Sequence, residues 1–391
     1  MLALINGKIL TMADKIYEQG TIVIKNNKID AVTSHSAPPA GARVIDVSGK
    51  YVLPGFIDAH SHIGIYEEIY RLEGDDANET SDPVTPHLRA IDAINMEDVA
   101  FDDAIKGGVT TVMTGPGSAN VIGGQSVVMK TSARTVDEAV VKNPAGMKAA
   151  FGENPKRVYS SQKKAPVTRM ATAAIFRETL VAAQNYAAKI KKGKKELDKM
   201  PDRDLKLEAM LPVISGEVPL LIHAHRADDI RTALRIADEF NVKVSIQHGT
   251  EAHKFPDELT KRGVPAVVGP SLSTRAKVEL KDRTFKTAGI LSQAGVKVAL
   301  MTDHPVLPIQ YLSLMAALAA KEGMDEDEAL KAITINPAEI LGIADRVGSL
   351  ETGKDADIIV LSGHPLDWRT KVELVIVNGK IVYAGGSFAR M

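Results

Sequence analysis

Five of the ten histidines in this sequence stand at the ends of short apolar stretches. These are His60, His62, His223, His225 and His248, and a further apolar stretch, "KVALMTDHP", ends in Asp303 and His304. Neutral imidazole and carboxylate are common protein ligands for divalent metals. The recurrence of these groups after four separate apolar stretches therefore indicates a metal site that supports catalysis.

The segment "GFIDAHSH" places His60 and His62 two residues apart. Because side chains alternate between the two faces of a β-strand, both imidazoles point to the same side and can reach one cation. His225 is related to His223 in the same way. The chain has no cysteine, so histidine, aspartate, glutamate, lysine or water must supply every ligand.

Eight apolar segments alternate with helical patterns between residues 55 and 345. The segments are "GFIDAHSH", "GVTTVMTG", "SVVMKTS", "GMKAAFGE", "PLLIHAH", "KVSIQHG", "PAVVGP" and "KVALMTDHP". Eight such steps predict an α/β fold, a (β/α)8 TIM-like barrel, in which catalytic groups lie at the C-terminal ends of the strands. Their continuous apolar character favours a parallel sheet that is buried on both faces. The strand-end histidines and Asp303 would then meet at one mouth of the barrel.

Both ends of the chain are rich in short strand-like segments. "LINGKIL" near the start and "IVNGKIV" near the end are almost the same phrase, and each is expected to form a strand, a turn and a strand. Two isolated β-rich tails would leave apolar faces unburied. We therefore predict that residues 1–54 and 346–391 together form one small β-sandwich domain beside a barrel domain of residues 55–345.

The composition restricts the class of partner. The 391 residues carry a formal net charge of −1, which gives no electrostatic reason to bind nucleic acid or an anionic membrane. No apolar stretch reaches the roughly 18 residues that a membrane helix needs. We expect a cytoplasmic enzyme that acts on a small-molecule substrate. Self-association as a homo-oligomer is compatible with the sequence but is not specified by it.

These segments resemble the amidohydrolase superfamily of metal-dependent barrel hydrolases over nearly the whole chain. "LPGFIDAHSH" looks like the His-x-His signature on the first strand of the family, and "GVTTV" looks like its second strand. "TINPAEILGI" followed by "GSLETGKDADIIVL" is similar to the segment in which the family's chain returns to the β-sandwich. "PLLIHAHRADDI" and "IQHGTE" are most similar to the imidazolonepropionase-like and prolidase-like branch.

The resemblance implies roles for the strand-end residues. The implied metal ligands on the first, fifth, sixth and eighth strands are His60, His62, His223, His248 and Asp303. Asp303 would also transfer a proton during catalysis, and His225 would contact substrate or support a ligand. This set would hold one or two divalent ions, with zinc as the expected metal.

The fourth-strand ligand differs among members of the family, many of which use a carboxylated lysine and others a glutamate. The segment "AGMKAAFGENP" offers Lys148 near the start of its strand and Glu153 at the end, and Lys130 in the preceding strand is a third candidate. We favour Glu153, because a ligand must reach the C-terminal mouth and a strand advances by about 3.3 Å per residue. The alternative for Glu153 is a helix-start acid that pairs with Lys156 or Arg157.

These assignments predict a hydrolase that uses metal-activated water to cleave a C–N bond in an amide, cyclic amide or dipeptide-like substrate. A mononuclear deacetylase or deaminase with the same ligands is the alternative chemistry, since function resides in loops that vary within one fold. A catalytically silent scaffold is disfavoured, because the strand-end ligand positions are filled. Arg226 and Arg275, which follow barrel strands, are candidates to bind a substrate carboxylate.

Overall fold

The computed structural model describes residues 1–34, 37–69 and 72–390, whose strands form two separate sheets. The terminal sheet combines strands from both ends of the chain: β1 (Leu2–Leu10), β2 (Ile16–Lys25), β3 (Lys28–Ser34), β4 (Arg43–Asp46), β5 (Tyr51–Pro54), β14 (Ile358–Leu361), β15 (Val372–Val377) and β16 (Lys380–Ala384). Its order is β16-β15-β14-β5-β1-β2-β3, and β4 pairs with β1. The expectation that both ends build one β-structure is therefore confirmed for this sheet, while the domain limits stay a prediction.

The two Asn-Gly segments that look alike in sequence have different structures. Asn378 and Gly379 have φ angles of 48° and 72° and join β15 to β16 as the expected tight hairpin. Asn6 and Gly7 instead lie inside β1, where the register with β2 shifts, so they form a bulge and not a turn. A Cβ atom on Gly7 would come within 2.7 Å of Val52 Cγ2, which is why this position requires glycine.

The barrel sheet contains all eight predicted strands in sequence order. They are β6 (Phe56–Ser61), β7 (Val109–Thr114), β8 (Ile122–Lys130), β9 (Val140–Ala150), β10 (Leu220–Ala224), β11 (Val244–His248), β12 (Ala266–Val268) and β13 (Val298–Leu300). The chain after β13 approaches the end of β6, where the Asp303 N–H donates to the His60 carbonyl at 3.1 Å. The His62 N–H donates to the His304 carbonyl at 2.9 Å. These bonds nearly close the barrel and place Asp303 beside both histidines of β6.

Strand β8 runs antiparallel to both of its neighbours, β7 and β9, which corrects the expectation of a fully parallel sheet. The chain between β7 and β8 is only residues 115–121. A parallel pair needs a crossover of a dozen or more residues, so this short connection forces the strand to reverse. The reversal moves the last residue of β8, Lys130, to the base of the barrel and away from the mouth.

Eleven α-helices lie in the described part of the chain, and several of them pack on the barrel strands. They are α1 (Val99–Lys106), α2 (Val136–Ala139), α3 (Glu153–Ser161), α4 (Arg169–Gly193), α5 (Leu205–Ile214), α6 (Ala227–Phe240), α7 (Pro256–Arg262), α8 (Lys286–Gln293), α9 (Leu312–Lys321), α10 (Glu326–Lys331) and α11 (Ile335–Leu341). In α6 the buried residues Ile230, Ala233, Leu234 and Ala237 recur at helical spacing and form one apolar face. Within the described ranges, every helix is too short or too polar to cross a membrane.

Lys130 forms a buried ion cluster at the base of the barrel. Its Nζ pairs with Asp357 Oδ2 and lies 3.1 Å from Asp355 Oδ2. We expect Lys130→Met to lower the free energy of unfolding by about 3–5 kcal/mol, because it leaves Asp357 buried without a cation. Denaturant titration measures this change, with Lys28→Met as the matched control. Lys28 binds the same Asp355 at 2.6 Å but is 47% exposed, so its loss should cost at most about 1 kcal/mol. Equal losses for the two variants would contradict the buried cluster.

Candidate active site

The two histidines of β6 converge on one carboxylate oxygen. His60 Nε2 lies 3.2 Å and His62 Nε2 lies 3.3 Å from Asp303 Oδ1, and both imidazoles are buried. Asp303 follows β13 with φ of 54°, a left-handed conformation that non-glycine residues rarely adopt. These three residues form the first group of side chains that could hold a metal ion.

Hydrogen bonds on the far side of each ring fix which nitrogen carries the proton. His62 Nδ1 lies 2.7 Å from the Gly115 carbonyl, and His60 Nδ1 lies 3.0 Å from Gln247 Oε1. Because a carbonyl oxygen can only accept, each Nδ1 donates, and a neutral ring then has its lone pair on Nε2. In that state both Nε2 atoms are free to bind a cation beside the same oxygen of Asp303.

A second group of imidazoles adjoins the first. His223 from β10, His225 just after that strand and His248 from β11 bring ring nitrogens within 4.8 Å of one another. His248 Nδ1 donates to the Gly269 carbonyl at 2.9 Å, which again leaves Nε2 unprotonated. The Nδ1 of His223 is buried without a hydrogen-bond partner among the described residues. The rings of His60 and His248 lie 5.2 Å apart, so the two groups form one continuous cluster.

Burial keeps four imidazoles of the cluster neutral, and Asp303 is ionised. Burial and the nearby Lys148 ammonium lower the pKa of His60 to about 4, and burial, reinforced by Lys277, lowers the pKa of His225 to about 3. Burial also holds the pKa of His223 and His248 well below the usual range. Burial opposes ionisation of Asp303, but the charge of His248 and hydrogen bonds from His60 and His62, which these rings provide when they are protonated, hold the pKa of that carboxyl well below its ordinary value. Divalent metals require ligands in these deprotonated forms.

Lys148 also reaches the cluster. It lies on β9, is almost completely buried, and its Nζ is 3.2 Å from His60 Nε2. Burial lowers the pKa of Lys148 to about 8, which increases the fraction of neutral amine at physiological pH. A lysine side chain is long enough to reach the mouth from inside the strand, which is why its place before the end of β9 does not exclude it.

Glu153 and Lys130 do not join this cluster. Glu153 begins α3 after a sharp turn at Gly152, whose φ is 92°, and its side chain belongs to neither potential ligand group in the described residues. Its backbone N–H donates to Glu279 Oε2 at 3.0 Å, which ties the start of α3 to the loop after β12. The expectation that Glu153 completes the site is therefore not supported by this geometry. Lys130 lies at the opposite end of the barrel, as described above.

The cluster opens into a cavity of about 360 Å³. Four of its polar lining residues have no counterpart in the sequence interpretation: Ser118, Asn154, Lys277 and Arg283. Three of them lie in the loop of residues 269–285 after β12 or at the start of α3, where no periodic pattern marks them. Arg226 is occupied by Asp228, at 2.8 and 2.9 Å, and neither Arg226 nor Arg275 lines the cavity. The predicted carboxylate-binding role of these two arginines is not supported.

Comparisons with known proteins agree with this geometry. Residues 51–382 match the Amidohydrolase family. The chain is 31% identical over 383 residues to the amidohydrolase tasK of Hapsidospora irregularis, with 91% of this chain aligned to 38% of that longer protein. It is 23% identical to the imidazolonepropionase of Mesorhizobium japonicum, over 91% of this chain and 90% of that one.

Two solved structures extend the comparison to the fold. A crystal structure of an amidohydrolase from Thermotoga maritima MSB8 has 45% identity and a TM-score of 0.95, over 98% of this chain and 100% of that one. A prolidase complexed with N-methylphosphonate-L-proline has 19% identity and a TM-score of 0.62, over 98% of this chain and 99% of that one. The second likeness concerns the fold alone. The first combines the fold with substantial sequence identity, and it agrees with the family match.

Proposed function

We propose that this chain, which belongs to the amidohydrolase family, is a metal-dependent hydrolase that cleaves a carbon–nitrogen bond with water. The observation that carries the proposal is the meeting of the Nε2 atoms of His60 and His62 at one oxygen of Asp303. A divalent cation bound between these donors would make the arrangement favourable. His62 and Asp303 line a cavity that can hold a small molecule.

The residues that would hold the metal are His60, His62, Lys148, His223, His248 and Asp303. Nitrogen and oxygen donors without thiolate suit zinc, and two adjacent groups provide room for one or two ions. A bound divalent ion would supply Lewis-acid polarisation of the substrate and a hydroxide-like nucleophile at neutral pH. We place Lys148 in the fourth-strand position in preference to Glu153.

The chain's own groups would handle the proton and the substrate. Asp303, ionised and facing the cavity, would accept a proton from the attacking water at its carboxylate and then deliver it to the departing nitrogen. His225 lines the cavity, its Nδ1 lies 2.8 Å from Thr250 Oγ1, and its Nε2 lies 3.8 Å from Glu279 Oε1. A neutral His225 would orient the substrate carbonyl beside Asp303.

Metal analysis of the purified protein tests this proposal. We expect about one or two equivalents of divalent metal per chain, and we expect a chelator to lower the melting temperature, because an ion that binds only the folded state stabilises it. His60→Asn should reduce the metal content, whereas His364→Asn, at an exposed position in the C-terminal region, should not. A metal-free protein whose stability is insensitive to added zinc would contradict the proposal.

A further inference from the structure

We propose that the cavity selects amide substrates that carry a carboxylate, and that Arg283 and Lys277 bind this carboxylate. The inference rests on the proposed hydrolysis and names its substrate class, amides with a free carboxylate such as N-acyl amino acids and dipeptides. Both cations line the cavity from the loop of residues 269–285. The ligand cluster lies at the same cavity, so one small substrate can span both regions.

The guanidinium of Arg283 has one edge in use and another that is free. Nη1 donates to Ser273 Oγ at 2.6 Å and to the Thr274 carbonyl at 2.9 Å, and Nη2 donates to the Ser273 carbonyl. The Nε–H has no acceptor within the described part of the chain. Arginine binds carboxylates through two parallel N–H groups, and the Nε–H together with the second N–H of Nη2 provides such a pair.

The positive charge of Arg283 is also not neutralised by the protein. No ion pair joins it to a carboxylate among the described residues, and burial together with the charge of Arg275 lowers its pKa. Arg226 shows the contrasting case, because its Nε and Nη2 are both bound to Asp228. An unpaired, partly buried guanidinium beside a cavity is stabilised by an anion that enters it.

Lys277 places a second cation near the ligand cluster. Its Nζ donates to Asn154 Oδ1 at 2.5 Å, and Asn154 Nδ2 lies 3.4 Å from His223 Nε2. The nearest carboxylate oxygen is Glu279 Oε1 at 3.9 Å, and burial raises the pKa of Glu279 and so opposes its ionisation. Lys277 is thus separated from a predicted metal ligand by a single asparagine.

The remaining charge in the cavity agrees with an anionic substrate. Among the described residues that line it, Asp303 is the only acidic one, and it belongs to the ligand cluster. The substrate would therefore meet positive charge on the loop of residues 269–285 without a competing negative group on the lining. A hydrogen-bonded charge pair of this kind corresponds to a preference of roughly ten- to a hundredfold for the acid over its neutral carboxamide.

A comparison of matched ligand pools tests the inference. One pool contains N-acetyl amino acids and dipeptides, and the other contains the same compounds as C-terminal carboxamides. Binding is measured by saturation-transfer NMR and hydrolysis by chromatography. Both chelator-treated and zinc-loaded protein are used, because a carboxylate can also bind the metal. We expect the acid pool to bind at least about tenfold more tightly in both forms.

Variants separate substrate binding from support of the loop. Arg283→Met and Lys277→Met should each reduce the preference for the acid pool to less than about threefold, while Lys281→Met, which removes an exposed cation from the same loop, should leave it unchanged. Thermal unfolding identifies any variant that fails to fold, and the wild-type comparison of acid with amide does not depend on the variants. Equal binding of the two pools, absence of binding by both, or an acid preference that survives both substitutions overturns the inference.

The same experiment distinguishes this inference from the proposed function. Hydrolysis of acids and amides at similar rates would retain the hydrolase and reject the carboxylate site. Selective binding of acids without any turnover would retain the carboxylate site and reject the hydrolase.

Discussion

Substitution of Asp303 by asparagine is expected to reduce hydrolysis by roughly 10²–10⁴-fold, the range that general acid–base catalysis contributes. Asparagine has nearly the same shape but cannot accept and return a proton at neutral pH. The carboxyl of Asp303 suits this role because its pKa lies well below the ordinary value, so that it is ionised at neutral pH. The defect should therefore appear in kcat more than in KM, because the missing proton transfer belongs to the chemical step.

Metal content must be measured beside activity, because Asp303 also lies within 3.3 Å of His60 and His62 Nε2. We expect the variant to retain at least half of its metal, since the other donors of the cluster remain in place. Asp282→Asn is the matched control, because this half-buried carboxylate lies on the loop after β12, outside the ligand cluster, and pairs with Lys254 at 2.6 Å. Wild-type turnover by Asp303→Asn would refute the proton-transfer role, and complete loss of metal would assign the defect to ligation.

The positions of the strand-end histidines could be predicted because they depend on local rules. A strand of apolar residues must be buried, its side chains alternate, and parallel strands of a barrel converge at their C-terminal ends. These rules are enough to bring His60, His62 and His248 together. The centre of the His60 ring lies 5.3 Å from that of His62 and 5.2 Å from that of His248. The reversal of β8 follows from a separate rule, because the connection of residues 115–121 is too short for a parallel crossover.

The parts of the site that depend on tertiary contacts could not be predicted in this way. Asn154 and Lys277 lie far apart in sequence and meet only because α3 and the loop after β12 pack over the same mouth. Gln247 alternates with its neighbours along β11, and its role in fixing the proton of His60 appears only when β6 is placed opposite. Asn6-Gly7 has the sequence of a hairpin turn, but pairing with β2 on one side makes it a bulge.

The fourth-strand ligand shows a different limit of the sequence argument. Counting backbone residues to the end of the strand favours Glu153, since it places the Cα nearest to the mouth. The count neglects the length and direction of the side chain. Lys148 extends its Nζ to within 3.2 Å of His60 Nε2, whereas Gly152 turns the chain into α3 before Glu153. For a ligand, the position of the donor atom matters and not the position of the backbone.

A paired substitution decides between these two residues. We expect Lys148→Met to lower metal affinity by at least about 10–100-fold. Loss of a residue that only hydrogen-bonds to a metal ligand already has an effect of that size. Activity should fall in proportion. Methionine has a similar volume and no charge, so the buried position remains filled and the fold should be retained. Glu153→Gln should leave metal content and activity unchanged, because its contact with Glu279 is made by the backbone N–H.

Equilibrium zinc titration of both variants, with circular dichroism to verify folding, measures the difference. The outcome depends on whether the buried amine of Lys148 loses its proton when a metal ion binds beside it. Lys148 Nζ lies 3.2 Å from His60 Nε2, and the charge of Asp303 favours the protonated form of Lys148 while burial opposes it. A metal ion that binds His60 and Asp303 would lie close to the Lys148 ammonium, and the two positive charges repel. Lys148 therefore either loses a proton and joins the ligands as a neutral or modified group, or it stays charged and opposes metal binding. If Lys148→Met instead strengthens zinc binding, the second alternative is correct and Lys148 is not a ligand.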